Sequence, residues 1–134
     1  MSPSLEIILR LLLAAALGAG IGYQRERAAK AAGLRTHTLI ALGSALFTVA
    51  SIFGFSGAVD PSRVAAGVVA GVGFIGAGVI FRGMRGEHVA GLTTASSIWV
   101  SAAVGLATGA GLYLISVVAT LITAGILIIP KVRG

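Results

Sequence analysis

The sequence predicts an all-α protein, a polytopic bundle of five transmembrane helices that forms a single domain over residues 1–134. Two observations lead to this fold class. Hydrophobic residues make up 57% of the chain and charged residues 10%, whereas soluble domains average about 25% charged residues. The apolar residues also fall into five long runs separated by short polar segments. We therefore expect the whole chain to be a membrane unit.

Each apolar run is close to the length that a membrane span requires. A hydrocarbon core of about 30 Å is crossed by roughly 17 to 25 helical residues. The predicted helices cover residues 5–23, 36–55, 64–81, 92–108 and 112–129.

The first helix is expected to be retained rather than removed as a signal peptide. It lacks a basic start, and it is followed by Arg25, Arg27 and Lys30, which resist export. Glu6 and Arg10 lie one turn apart with the acid first, which is the order that favours a helical ion pair. We expect these two side chains to pair near the membrane boundary.

Turn signals separate the later helices. Asp60 before Pro61 is typical of an N-cap followed by proline at the first helical position, so helix 3 is expected to start there. Gly109 and Gly111 are expected to form the short turn between helices 4 and 5. Pro130 is expected to end the last helix, because proline cannot continue the hydrogen-bond ladder.

The distribution of lysine and arginine predicts the orientation. Most basic residues lie after helix 1, after helix 3 or in the tail: Arg25, Arg27, Lys30, Arg35, Arg82, Arg85, Lys131 and Arg133. Only Arg10 and Arg63 fall on the opposite side. Because basic loops stay cytoplasmic, the N-terminus is expected outside and the C-terminus in the cytoplasm.

Small residues are predicted to bring the helices together, because helix association in lipid depends on close backbone approach. The predicted packing glycines are Gly18, Gly22, Gly67, Gly71, Gly73, Gly76, Gly78 and Gly105. Trp99, several residues inside helix 4, is also interpreted as a packing residue. The helix faces lined by small residues are more numerous than one bundle needs for its own packing, so we expect a homo-oligomer, with a dimer favoured.

Polar residues are expected to meet at the cytoplasmic ends of the helices. The candidate functional cluster consists of Arg25, Glu26, Arg27, Arg35, Thr36, His37, Arg82, Thr93 and Thr94. Ionisable residues at membrane margins often carry function, but arginines also anchor to headgroups and hydroxyls also cap helices. Glu26 is a weak candidate for a metal ligand. His37 is interpreted either as a proton or metal group or as a polar helix-end residue.

Catalysis and nucleic-acid binding are not expected. A serine nucleophile needs a placed base and an orienting acid, and the spacing of this chain supplies neither. The chain has no cysteine, so a thiolate metal site is excluded. Its net charge of +6 arises from residues that flank apolar runs, so the expected partner is the bilayer and not nucleic acid. No bound cofactor is expected.

Four motifs stand in order along the chain. They are Gln24-Arg25-Glu26-Arg27, Gly33-Leu34-Arg35-Thr36-His37, Gly73-Phe74-Ile75-Gly76-Ala77-Gly78, and Gly91-Leu92-Thr93-Thr94-Ala95 followed by Trp99. Together, from about Leu11 to Ile128, they resemble the membrane domain of the MgtC/SapB family of bacterial inner-membrane proteins.

The resemblance implies a multi-pass protein of the bacterial inner membrane that is linked to magnesium limitation and, in pathogens, to virulence. Members of the family were first described as magnesium transporters. Others are regarded as regulators of membrane proteins such as the proton-translocating ATP synthase. Many members carry a cytoplasmic C-terminal domain, which this chain, ending at Gly134, is expected to lack.

Two functions are therefore expected. The first is ion transport, with Mg²⁺ as the ion transported or sensed. Mg²⁺ is usually bound through carboxylates, yet the acidic residues are few and arginines crowd the cytoplasmic end, which favours anions, phosphate groups or lipid headgroups over a simple Mg²⁺ pore. The alternative is a regulator or scaffold whose glycine faces dock on another membrane protein.

Overall fold

The computed structural model describes residues 2–83, 86 and 90–130, and these residues form five α-helices and no strand. The helices are α1 (Pro3–Arg27), α2 (Leu34–Phe53), α3 (Ser62–Gly83), α4 (Leu92–Gly109) and α5 (Tyr113–Ile128). The all-α bundle predicted from the sequence is confirmed. Three basic residues used to predict the orientation, Arg85, Lys131 and Arg133, lie outside the described residues.

Three of these helices are long and apolar enough to cross a membrane. They are α1, α2 and α3, with 25, 20 and 22 residues. α5 is strongly apolar but has only 16 residues, and α4 has 18 residues with several hydroxyl side chains among them. The chain is thus a membrane protein, while the crossing of α4 and α5 stays a prediction.

α1 extends beyond its predicted bounds of 5–23 at both ends. At its start, the Ser2 hydroxyl accepts a hydrogen bond from the backbone N–H of Leu5 at 3.2 Å, and Pro3 suits the first helical position. At its other end the helix continues through the polar residues to Arg27, because no helix breaker interrupts them. It ends where Ala29 adopts a positive φ of 55°.

α3 starts close to the predicted signal. Asp60 Oδ1 accepts hydrogen bonds from the backbone N–H of Ser62 at 3.0 Å and from its hydroxyl at 2.7 Å. These two bonds hold the pKa of the Asp60 carboxyl below its ordinary value. Asp60 therefore bonds to the first residue of α3, but Pro61 lies in the turn before the helix and is not its first residue as predicted.

α4 is the central helix of the bundle and packs against each of the other four. α1 and α2 pack closely on each other, whereas α3 leans mainly on α4 and touches α2 only slightly. Side-chain contacts define two ends. At the Arg10 end, α1 begins beside the end of α4 and the start of α5. At the Arg25 end, α1 ends beside the start of α4.

Glycine allows α1 to lie directly against α2. A methyl group at Gly18 would come within 2.7 Å of the Ala41 methyl, and one at Gly22 would come within 2.8 Å of Leu34 Cα. Such distances are well inside van der Waals contact, so any larger residue would push the helices apart. α1 and α2 therefore require glycine at both positions.

The contact between α4 and α2 has the same origin. A methyl group at Gly105 would collide with the Ala41 carbonyl oxygen, and one at Gly109 would lie 2.7 Å from the Ala45 carbonyl oxygen. Gly109 is thus the last residue of α4 and a packing residue, which corrects its predicted role in the turn. Gly111, with φ of 90°, is the turn residue that needs glycine.

The glycines of α3 behave differently. A methyl group at Gly76 would sit 3.5 Å from the Ala95 methyl, which is ordinary contact. The other four predicted packing glycines of α3 would meet no atom within 4 Å: Gly67, Gly71, Gly73 and Gly78. Within the described chain they do not pack against another helix, so their role stays a prediction for contact with another molecule.

Trp99 corrects a second expectation about packing. Its side chain is 56% exposed on the surface of α4. The buried face of α4 is formed instead by residues that include Ile98, Ser101 and Ala102. Trp99 lines a surface groove beside Val68 and Val69 of α3.

Candidate functional site

Three helices bring buried polar side chains together at the Arg25 end. We call this group the Arg25 cluster: Arg25 from the last turn of α1, His37 from the start of α2, and Thr94 and Ser97 from the start of α4. Their exposures are 4%, 0%, 5% and 2%. Polar groups that are buried this deeply require hydrogen-bond partners, so these side chains are expected to bond to one another or to nearby backbone.

Hydrogen bonds join the cluster into one network. Arg25 Nη2 donates to Thr94 Oγ1 at 2.9 Å. Ser97 Oγ lies 2.8 Å from the Thr94 carbonyl oxygen and 2.8 Å from His37 Nε2. His37 Nδ1 lies 2.8 Å from the Gly33 carbonyl oxygen. The network therefore ties the end of α1 to the starts of α2 and α4.

The partners of His37 restrict its protonation state. A carbonyl oxygen only accepts, so Nδ1 must carry a proton and donate to Gly33. Ser97 has a single hydroxyl proton. When that proton points to His37 Nε2, the neutral imidazole accepts it; when it points to the Thr94 carbonyl, Nε2 can bond to Ser97 only as a donor, which requires the imidazolium cation.

Arg25 carries a charge that the described chain leaves uncompensated. Its only hydrogen bond among the described residues goes to the neutral hydroxyl of Thr94, and its Nε is buried without a partner. Within residues 2–83, 86 and 90–130 the ion pair present is that of Arg10 with Glu6, at the other end. Burial of a charge without a counter-charge costs free energy, so the unpaired guanidinium of Arg25 is the feature of the site that most needs an explanation.

Only three of the nine predicted site residues enter the cluster, namely Arg25, His37 and Thr94. Arg27, Arg35, Arg82 and Thr93 are exposed, and Thr36 is half-buried. Arg27 Nη1 lies 3.4 Å from the Tyr23 hydroxyl on its own helix. These side chains take no part in the hydrogen bonds of the cluster.

Glu26 has a structural role. Its Oε1 accepts a hydrogen bond from the backbone N–H of Leu34 at 3.0 Å, so the carboxylate caps the start of α2. Gly33 makes this possible, because a side chain there would collide with Glu26 Oε1. Among the described residues no group of three or more His, Cys, Asp or Glu side chains could hold a metal ion.

A second polar group, at the Arg10 end, was predicted only in part. The expected pair of Glu6 and Arg10 is confirmed with a distance of 3.0 Å. Arg10 also donates to the Tyr113 hydroxyl at 2.9 Å and to the Gly109 carbonyl oxygen at 2.7 Å, and its guanidinium lies 5.1 Å from the Phe53 ring. Nothing in the local sequence indicates these long-range partners.

Buried hydroxyls form a line along the contact of α2 with α4. The line consists of Ser44, Thr48, Ser97, Ser101 and Thr108. Ser44 donates to the Ala102 carbonyl oxygen at 2.6 Å and so links the two helices. Ser101 Oγ is buried without a partner among the described residues.

A cleft lies between α2 and α3, where these two helices separate. It encloses about 660 Å³ and its walls are almost entirely apolar. Leu39, Gly43 and Phe47 line it from α2, and Gly67 and Gly71 line it from α3. The cleft opens to the membrane side of the bundle, since Leu39 and Phe47 are 64% and 63% exposed.

Comparison with known proteins identifies relatives of this chain. The sequence model of the MgtC family matches residues 11–132. "Putative magnesium transporter YhiD" of Escherichia coli K12 is 48% identical over 125 residues, covering 88% of this chain and 57% of that protein. "Protein MgtC" of Brucella abortus is 48% identical over 119 residues, covering 87% of this chain and 49% of that protein.

A cyanobacterial relative is similar over a larger share of its own length. "Protein SrpB" of Synechococcus elongatus is 44% identical over 131 residues, covering 89% of this chain and 71% of that protein. The chain spans about half the length of YhiD and of the Brucella protein. No solved structure gives a significant match.

Proposed function

Since this chain belongs to the MgtC family, we propose that it serves magnesium homeostasis in the bacterial inner membrane, as a regulator that docks on another membrane protein. The family membership and the printed names of the relatives support the link to magnesium. The cleft between α2 and α3 supports the docking role, and it is the observation that carries this proposal.

The cleft suits a transmembrane helix of another protein. Its α3 wall runs from Val64 to Ile75, a length of about 16 Å at 1.5 Å per residue. Gly67 and Gly71 lie on this wall one turn apart, with nothing within 4 Å of the position a methyl group would take. Exposed glycine backbone lets a second helix approach closely, which is how helices associate in lipid.

Much of the rest of α3 is also exposed, although the helix packs on α4. Only Val68 and Gly76 of its 22 residues are buried, and Phe74 and Phe81 are 84% and 76% exposed. A helix that makes so few contacts in its own bundle has surface available for a partner. We propose a helix of a different membrane protein as the occupant; self-association and lipid are the competing outcomes of the test.

The electrostatics of the Arg25 end also favour regulation over conduction of Mg²⁺. A divalent cation passing this end would meet the buried positive charge of Arg25, and like charges in a poorly solvated site repel strongly. Glu26, the carboxylate nearest in sequence, is engaged with the backbone of α2.

Two matched glycine variants test the docking proposal. Gly71→Leu fills the cleft, whereas Gly125→Leu places the same side chain on α5. A Cβ atom at either position would meet no other atom within 4 Å, so both variants should fold. In a bacterial strain lacking its own copy of the gene, we expect Gly71→Leu to lose support of growth at limiting magnesium and Gly125→Leu to keep it.

A photo-reactive residue at Phe47 identifies the occupant of the cleft. We expect a cross-link to a different membrane protein that disappears in Gly71→Leu. Growth of Gly71→Leu equal to wild type, or a cross-link only to a second copy of the chain, would contradict the docking proposal.

Transport of Mg²⁺ is a second candidate, favoured by the line of buried hydroxyls between α2 and α4 and by the printed name of the relative YhiD. Hydroxyl oxygens can replace water around a passing ion. The line is tightly packed, since its member Ser101 and the neighbouring Ala41 and Ala45 are 0% exposed. It would have to open before an ion could pass.

A further inference from the structure

The buried guanidinium of Arg25 points to a ligand of opposite charge. Arginine has five N–H donors, and the described residues provide one acceptor, Thr94 Oγ1. Arg25 is only 4% exposed, and its Nε is buried without a hydrogen-bond partner among the described residues. An arginine buried this deeply for a structural reason would form an ion pair with a carboxylate.

The acidic residues that the structure describes are engaged elsewhere. The chain has four acidic residues in all. Glu6 is bonded to Arg10 at the opposite end of the bundle, and Asp60 caps α3. Glu26 caps α2. Glu87 lies outside the described residues and is addressed by the experiment below.

The start of α4 supplies a second group of unpaired donors beside Arg25. The first backbone N–H groups of a helix lack partners within the helix, and the helix dipole makes this end positive. At α2 the carboxylate of Glu26 accepts a hydrogen bond from one of these groups, the N–H of Leu34. α4 is preceded by its N-cap residue Gly91, with φ of 88°, and has no side-chain cap. Arg25 reaches the first turn of α4 through Thr94.

We propose that the Arg25 end binds a phosphate-bearing anion, held by the guanidinium of Arg25 and the N-terminus of α4. Arginine and helix N-termini are the usual ligands of phosphate oxygens in proteins. The site lies where a helix leaves the membrane, so the phosphate group belongs either to an anionic lipid or to a free phosphate. This inference goes beyond the proposed docking function, because it rests on Arg25 and the start of α4 and not on the residues that line the cleft.

The test measures thermal stabilisation of the purified full chain in two arms. In neutral detergent, the melting temperature is compared in inorganic phosphate and in chloride at equal ionic strength. In nanodiscs, it is compared in phosphatidylcholine with and without phosphatidylglycerol. A ligand that binds only the folded state raises the melting temperature, so we expect a rise in at least one arm, and the arm that responds identifies the source.

Variants assign the response to Arg25. We expect Arg25→Gln to lower the affinity about tenfold or more, the loss of a hydrogen bond to a charged group. Arg25→Lys keeps the positive charge but lacks the planar guanidinium group, so its melting temperature should rise less than that of wild type. Lys30→Gln removes an exposed charge near the same end and should respond as wild type.

Two results would overturn the proposal. One is a wild-type melting temperature that changes in neither arm; if Glu87→Gln then gains the response, an internal carboxylate is the partner of Arg25. The other is an unchanged response in Arg25→Lys and in Arg25→Gln, which would show that the anion binds somewhere else.

Discussion

At the scale of single residues, glycine sets the distance between helices. Gly105 lies so close to α2 that a methyl group would collide with the Ala41 carbonyl oxygen. That oxygen belongs to helical backbone and cannot rotate away as a side chain would. The bundle must therefore separate locally to accept any other residue at this position.

We expect Gly105→Ala to lower the free energy of unfolding by about 1 to 3 kcal/mol, the usual cost of overpacking. Gly125→Ala is the matched control, since its methyl group meets no atom within 4 Å and alanine favours a helix over glycine. Denaturant unfolding in detergent measures both. Equal stability of the two variants would show that α2 and α4 are not in close contact.

Sequence reasoning located the polar residues of the site but not which of them are buried. Arg25 and Arg27 look equivalent in the sequence, yet they lie about 200° apart around the helix. The structure turns Arg25 towards Thr94 and leaves Arg27 exposed. Rotation of a helix depends on contacts with its neighbours, and those contacts are non-local.

At the scale of helices, the His37 and Ser97 side chains connect α2 to α4 through a buried bond of 2.8 Å. Both side chains are almost fully inaccessible, at 0% and 2% exposure. Loss of one partner would leave the other buried and unsatisfied, which is more costly than the loss of an exposed hydrogen bond.

We expect Ser97→Ala to lower the free energy of unfolding by about 1 to 3 kcal/mol. Ser96→Ala is the adjacent control: its exposed hydroxyl bonds only to Leu92 in its own helix, so the change should stay within about 0.5 kcal/mol. Thermal or denaturant unfolding distinguishes them. A larger loss in Ser96→Ala than in Ser97→Ala would refute the proposed link.

The existence of the five helices could be predicted because hydropathy is a local property. Their ends were less accurate, since α1 continues into polar residues that hydropathy alone would exclude. The small residues were also predictable as a class. Their division into packed ones, such as Gly105, and open ones, such as Gly71, depends on which helices meet and could not be read from spacing.

At the scale of the whole molecule, the orientation in the membrane is a prediction from the distribution of basic residues. The chain contains no cysteine, so a single introduced cysteine reports its side directly. We expect Ser56→Cys, in the connection of α2 with α3, to react with a membrane-impermeant maleimide in spheroplasts. Ala31→Cys, between α1 and α2, should react only after lysis, because basic connections stay cytoplasmic. The opposite labelling pattern would invert the topology.

The molecule buries an arginine at one end and leaves an apolar cleft on the side of α3. We propose that it acts in magnesium homeostasis without itself conducting Mg²⁺. A positive charge buried at the Arg25 end and close packing along the hydroxyl line are the physical reasons.

The most direct measurement is Mg²⁺ uptake into sealed proteoliposomes that contain the purified full chain, compared with empty vesicles and with an Arg25→Gln variant. We expect vesicles with wild-type protein to take up Mg²⁺ no faster than empty ones. Uptake that requires the wild-type protein would contradict this proposal and establish transport, and a further change of rate in Arg25→Gln would place the ion path at the Arg25 end.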